Sequence, residues 1–256
     1  KKTASILYLL YILLTVANII FLLAGGMPLF DAVCTAMGTA GTGGFGVRND
    51  SFASYSPYLQ NVTTIFMFLF GVNFNLYYLI LIGHVGEALR SEELRWYLLI
   101  LAATIGLICV DLHVELGQGW YESVTDAAFQ ATTIMSTTGY ATKDFTLWPT
   151  FSRCILVLLM YVGGWKISRL MLQVKSLRRE LDHIIHPNRV SVITIDGQSV
   201  DERAVNSAHM FQVAYLLILM AGTLVVSLDV LGFTESFVAS LTCISNVGPA
   251  LGALGP

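Results

Sequence analysis

The chain has 256 residues, 55% of them hydrophobic and only 12% charged, with a mean hydropathy of +0.69. A soluble domain of this size carries about 25% charged residues, so composition points away from a soluble all-α core and toward an integral membrane protein of the helical type. The net charge of −3 decides little, because the positions of the charges matter more than their sum.

In chain order, uncharged runs cover residues 4–23, 62–82 and 210–228, each close to the ~20 residues that span ~30 Å of hydrocarbon. The run at 96–110 is shorter but equally apolar. The first run follows "KK" yet is too long for a secretory signal, and no small-residue cleavage site follows it. Cys34, Cys109, Cys154 and Cys243 lie in apolar context without CxxC spacing and are expected to be inert packing residues. Of the 14 basic residues, all but Arg48, Lys143 and Arg153 fall on one side of the apolar runs. The positive-inside rule makes that side cytoplasmic.

Three segments align without a gap: "DAVCTAMGTAGTGGFG" (31–46), "DAAFQATTIMSTTGYA" (126–141) and "ESFVASLTCISNVGPA" (235–250). Each opens with a carboxylate (Asp31, Asp126, Glu235) and has a glycine thirteen residues later (Gly44, Gly139, Gly248). The intervening stretch is helical in composition and too short to span, so it reads as re-entrant, its opening acid expected to cap the helix start. Irregular backbone at membrane depth is tolerated only where it lines a water-filled cavity or is buried in protein. Each unit therefore reads as outer helix, re-entrant helix, extended loop and inner helix. The loops "TGGFG" (42–46), "TTGYA" (137–141) and "NVGPA" (246–250) carry no charge, so what they offer is backbone carbonyls, which can replace the hydration shell of a monovalent cation. Taken singly, each loop reads first as a turn between membrane helices; the shared register of all three favours an ion site.

Other patterns carry less. "GTGGFG" (41–46) satisfies a dinucleotide fingerprint but lacks the preceding strand and following helix that the motif needs. His183 and His186 have no evident third metal ligand, and "NVT" at 61–63 is too common a sequon to use. Asn73 and Asn75, midway along the first inner helix, are expected to hydrogen-bond between helices, with pore lining as the other reading. His84 and Glu87 read as interfacial.

The three segments, with "STTGYATKDF", "GTGGFGVRND" and "SNVGPALG", resemble the filter regions of the TrkH/TrkG/KtrB superfamily of potassium transporters, along essentially the whole chain. The resemblance implies an all-α integral membrane fold of repeated membrane helix–pore helix–membrane helix units around a pseudo-fourfold pore. Carried over by position, the filter is Thr42, Gly43, Gly44 and Phe45; Thr137, Thr138, Gly139 and Tyr140; and Asn246, Val247, Gly248 and Pro249. The resemblance also implies K⁺ as the transported ion with no organic cofactor, a homodimer in the bacterial inner membrane with filters facing outward, and a cytosolic TrkA-like nucleotide-binding (RCK/KTN) regulatory subunit. No nucleic acid is expected as a partner. One shared glycine per repeat, instead of the two of TVGYG, suggests modest selectivity for K⁺ over Na⁺.

The chain departs from the family in three places. A first repeat and a final inner helix are expected outside this sequence. Ala250 stands where the family usually has glycine. In "YVGGWKISR" (161–169), Gly163, Gly164 and Lys166 match the ends of the family's gate loop with only Trp165 between, and the apolar run at 154–165 is too short to span. The family's loop residues there are expected to be deleted from this protein, or missing from this sequence. Lys143 and Asp144 are placed at the outer mouth, with Asp144 the candidate to offset the lysine.

The units are thus 1–90, with filter 42–46; 91–180, with filter 137–141 and an interrupted inner helix near 163–166; a cytoplasmic connection at 181–206; and 207–256, with filter 246–250. Within the connection, Pro187 and the alternation from Val190 to Ile195 precede Asp196–Gly197, a hairpin turn signal. That hairpin reads either as a docking surface for the regulatory subunit or as a self-packed link. The leading function is potential-driven K⁺ uptake through a channel-like pore. A transporter coupling K⁺ to H⁺ or Na⁺ is the alternative and predicts an embedded carboxylate, which the apolar runs do not supply. An intramembrane enzyme needs a nucleophile–base or HExxH pair, and the sequence offers none.

Overall fold

The structure is a computed structural model that describes residues 2–186, 192–229, 232–252 and 255. The first unit runs α1 (Lys2–Ala24), α2 (Leu29–Ala40), α3 (Pro57–Gly71) and α4 (Phe74–Leu81), with a short α5 (Val85–Arg90) leading out. The second runs α6 (Glu92–Leu116), α7 (Trp120–Met135), α8 (Thr150–Trp165) and α9 (Ile167–Ile185). A two-stranded hairpin, β1 (Thr194–Ile195) and β2 (Gln198–Ser199), precedes α10 (Glu202–Val226) and α11 (Phe233–Ser245). The fold is all-α and multi-pass: α1, α6 and α10 are each long and apolar enough to cross a membrane, and two bent pairs, α3–α4 and α8–α9, add further candidate spans.

Both inner helices are broken, by 85° between α3 and α4 and by 96° between α8 and α9. A helix end leaves backbone carbonyls without intrahelical partners, and at membrane depth each unsatisfied group costs several kcal/mol. At the first break two tyrosines supply the donors: Tyr77 Oη donates to the Leu69 carbonyl at 2.7 Å and Tyr97 Oη to Phe68 at 3.4 Å. Asn73 caps the start of α4, its Oδ1 accepting from the Asn75 N–H at 3.0 Å. Its Nδ2 donates across to Glu93 on α6 at 2.9 Å, so the interhelical bond is present. The second break falls on Lys166, whose φ of 60° and ψ of 143° lie where side-chain-bearing residues are strained. There α8 carries Gly163 and Gly164 within its last turn, and Lys166 N–H bonds back to the Gly163 carbonyl at 3.3 Å.

Two hydrophobic cores hold the units together. One gathers α6 to α11 and takes Val72, Leu76 and Ala88 from the first unit; the other centres on α1–α3 and takes Phe129 and Tyr140 from the second unit. Those two aromatics fasten one repeat to the next. The turn at Asp196–Gly197 forms as expected, with φ of 50° and 78° and with Thr194 opposite Ser199. Pro187 and residues 189–191 lie outside the described residues. The hairpin packs on its own chain: Asp196 accepts from the Glu92 N–H at 2.7 Å and from Ser91 Oγ at 3.3 Å, capping α6 from a hundred residues away. Lys175 donates to the Thr194 carbonyl at 2.5 Å and pairs with Glu92, and Arg179 pairs with Glu202 on α10. All four cysteines are free, but Cys154 and Cys243 are exposed on the isolated chain and so are not packing residues within it. His84 Nδ1 lies 2.9 Å from Glu87 on the exposed α5, and among the described residues no three His, Cys, Asp or Glu side chains gather as a metal set.

Candidate functional site

The short helices α2, α7 and α11 end at the same register and hand over to the three uncharged loops. Each ends in one motif. The N–H of Thr42, Thr137 and Asn246 returns to the carbonyl of Thr39, Ile134 and Cys243, and the next N–H, of Gly43, Thr138 and Val247, returns to Gly38, Thr133 and Thr242 at 2.8–3.0 Å. This is a helix C-terminal turn built on a left-handed residue. That residue is not glycine here: Thr42, Thr137 and Asn246 have φ of 49°, 57° and 55°. Two positions on, Gly44, Gly139 and Gly248 have φ of 65°, 94° and 102°. Positive φ at alternate residues turns successive carbonyls toward one side, which a carbonyl cage requires.

The glycines have a second role that the sequence did not reveal. A Cβ on Gly44 would collide with the Thr138 carbonyl oxygen, and one on Gly139 with that of Val247, while Pro249 Cδ lies 3.3 Å away. A Cβ on Gly248 would meet Gly139 Cα at 3.7 Å and its carbonyl oxygen at 4.0 Å, both ordinary contacts. The loops thus touch in sequence order, first to second and second to third. Pore-helix threonines brace two of them: Thr133 Oγ1 accepts from the Gly139 N–H at 3.1 Å, and Thr242 Oγ1 donates to the Pro249 carbonyl at 2.9 Å. Glycine occupies the equivalent place in the first unit. There the fully buried Tyr140 points its hydroxyl past Gly38 to the Thr35 carbonyl, at 3.1 Å. Tyr140 is therefore a strut between repeats, whereas Phe45, its counterpart, is 84% exposed. Ala250 is buried with Val247 and Leu251 in the core of the later units.

The opening acids do not act alike. Glu235 reaches back to the Gly232 N–H at 3.3 Å and caps α11 as expected. Asp31 lies in the first turn of α2 but accepts from Tyr55 Oη at 3.0 Å and makes no cap. Asp126 sits in the second turn of α7, because that helix starts at Trp120, and pairs with Lys143 at 2.8 Å. Lys143 also pairs with Glu122 at 2.5 Å. Partial burial pulls the Lys143 ammonium down, but hydrogen bonds and charge from Asp126 and Glu122 outweigh it, so its pKa is raised. Burial raises the Asp126 carboxyl against the pull of Lys143. The lysine is thus offset by Glu122 and Asp126, not by Asp144, which caps a 3₁₀ turn through the Thr146 N–H at 2.9 Å.

Beneath the loops lies a cavity of about 420 Å³ bordered by Thr42, Thr137, Asn73, Glu93, Gly163 and Lys166 among others. The glycines of "GGWK" let α8 close under the pore helices: a Cβ on Gly163 would sit 2.8 Å from the Ile134 carbonyl, and one on Gly164 2.6 Å from Ser245 Oγ. Trp165 is buried beside Tyr161 and Tyr215, with ring centroids 4.7 and 5.9 Å away. Sequence reading missed Glu93. The uncharged run begins at Trp96, whereas α6 starts at Glu92 and brings an acid to the cavity beneath the three loops. The signal was present as "SEELRW", a helix start with acids in its first turn.

Comparison with known proteins bears on the family and the fold. The family model described as TrkH, cation transport protein, matches residues 1–255. The Trk system potassium uptake protein TrkH of Salmonella typhimurium is 28% identical over 271 positions, covering 99% of this chain and 55% of that protein. TrkG of Escherichia coli is 30% identical, covering 98% and 54%. The crystal structure of the potassium transporter TrkH from Vibrio parahaemolyticus superposes with a TM-score of 0.89 at 26% identity, covering 99% of this chain and 57% of the other. The chain spans about half the length of the relatives it matches.

Proposed function

Because this chain belongs to the TrkH family of cation transport proteins, we propose that it forms part of a K⁺-conducting pore through which the membrane potential drives uptake. The observation that carries this is the threefold recurrence of one backbone motif, with positive φ at Thr42 and Gly44, Thr137 and Gly139, and Asn246 and Gly248, in three loops that touch in order. The helices α2, α7 and α11 point their C-terminal ends, partially negative, at those loops, which favours a cation there. In this reading the carbonyls of 42–45, 137–140 and 246–249 strip water from K⁺. A fourth repeat closes the ring where Phe45 is exposed. The units divide as 1–90, 91–180 and 207–256, joined through 181–206. The bend at Gly163–Lys166 under the filter is the gate, shortened relative to the family. The basic side faces the cytoplasm of the inner membrane. The protein works as a homodimer with a TrkA-like nucleotide-binding subunit. The hairpin's own packing leaves docking of that subunit to surfaces other than Asp196 and Lys175.

⁸⁶Rb⁺ flux into proteoliposomes holding the whole transporter tests the reading. Uptake that follows an imposed negative-inside potential supports it, and a bi-ionic reversal potential showing strong Na⁺ preference overturns it. A second reading has one observation in its favour: Glu93 is a carboxylate beside the cavity, as H⁺ or Na⁺ coupling requires. Uptake that needs an imposed pH or Na⁺ gradient, with potential alone giving none, would select it.

A further inference from the structure

Below the candidate filter three helices begin around one carboxylate. Asn73 caps α4, Ser168 lies in the first turn of α9, and Glu93 lies in the first turn of α6. Glu93 accepts from Asn73 Nδ2 at 2.9 Å on one oxygen and from Ser168 Oγ at 2.6 Å on the other. Each helix start carries partial positive charge, equivalent to roughly half an elementary charge. Lys166 adds a full charge at the same cavity. Among the described residues Glu93 is the one acid lining that cavity. Without it, only the partially negative ends of α2, α3, α7 and α8 at this cavity would stand against three positive helix starts and the full charge of Lys166, a balance that hinders a cation leaving the loops above.

We propose that Glu93 is the residue that makes this cavity passable to cations. Its charge offsets the starts of α4, α6 and α9 together with Lys166, and it holds K⁺ at raised local concentration on the way through. The two hydrogen bonds occupy about half of the carboxylate's lone-pair sites, so both oxygens can still face a hydrated ion. The role rests on the pore reading above, and it concerns conduction, not the order of preference among ions, which the loops above set.

The test compares Glu93→Gln, Glu93→Asp and Ser168→Ala with the wild-type whole transporter in planar bilayers, over symmetrical K⁺ from low to high concentration. Gln keeps the shape and an acceptor oxygen but loses the charge. Its conductance is expected to fall about tenfold at low K⁺, as one charge acts across a few ångströms at intermediate dielectric, and to converge on wild type near ~1 M, where the ion itself saturates and screens the cavity. Asp, which retains the charge, should recover most of the conductance at low K⁺. Ser168→Ala, which removes one hydrogen bond and no charge, should keep the wild-type dependence on concentration. A Glu93→Gln deficit that persists unchanged at high K⁺ and is reproduced by Ser168→Ala makes the residue a mechanical brace and overturns the proposal. Wild-type conductance in Glu93→Gln at low K⁺ overturns it as well. A wild-type protein that passes no K⁺ under any condition overturns the pore reading itself.

Discussion

Alanine in turn at Gly44, Gly139 and Gly248 separates two reasons for glycine in the loops. Dihedral strain predicts one ranking. Gly44, at φ 65°, is close to the left-handed region that alanine enters for about 1–2 kcal/mol. Gly139 and Gly248, at 94° and 102°, lie beyond it, at a cost nearer the upper part of the 1–3 kcal/mol range for strained backbone. Close approach predicts another. A methyl group on Gly44 or Gly139 falls on a carbonyl oxygen of the next loop, whereas on Gly248 it meets ordinary contact at 3.7 Å. Neither oxygen belongs to a flexible side chain, so relief from a separation of 2.1 Å requires a loop displacement of about 1.4 Å, given van der Waals separations of ~3.5 Å. Such a shift exceeds the ~0.5 Å tolerance of a functional constellation. The structure therefore predicts that Gly139→Ala, burdened on both counts, abolishes ⁸⁶Rb⁺ uptake. Gly44→Ala should lose most of it, and Gly248→Ala should keep a measurable fraction with loosened K⁺ over Na⁺ selectivity. Thermal unfolding in detergent checks that each variant is folded. A folded Gly139→Ala that conducts with wild-type selectivity would falsify the loop-contact reasoning, and Gly44→Ala milder than Gly248→Ala would leave strain as the sole cause.

Three further outcomes follow from single contacts. Gly38→Ala should depress stability and uptake because its methyl meets the Tyr140 hydroxyl, and adding Tyr140→Phe should restore much of the loss, a coupling read from the double-mutant cycle. Lys143→Gln should cost about 1–2 kcal/mol in a melting assay at neutral pH, since it leaves the buried Asp126 unpaired. The Lys143 pKa is raised on folding, so its contribution is complete below the model-peptide value of 10.5 and is lost as pH climbs through the folded value; wild type and variant should then converge only in strong alkali. Asp196→Ala should lower stability by about 1 kcal/mol through loss of the α6 cap, without changing ion selectivity in flux assays.

The sequence by itself determined the solvent and the repeat. Long uncharged runs of about 20 residues point to helices in a membrane, since within a single spanning segment only intrahelical bonding satisfies the backbone. The recurrence of acid and glycine at one spacing set the register in which Gly44, Gly139 and Gly248 prove equivalent. Lateral relations were beyond it. That Tyr140 is a strut to Thr35, that Asp126 answers Lys143, and that Asp196 caps α6 depend on which elements lie side by side. Partners separated by 105, 17 and 104 positions leave no periodicity to read. The second break was visible only as a short run at 154–165, and the first lay hidden inside the full-length run 62–82. Their 85° and 96° bends, and the gathering of Asn73, Ser168 and Lys166 around Glu93, arise when helices too short to continue must satisfy their ends against one another. Local chemistry dictates which backbone can be helical in lipid, but only packing decides where the charges at the helix ends meet.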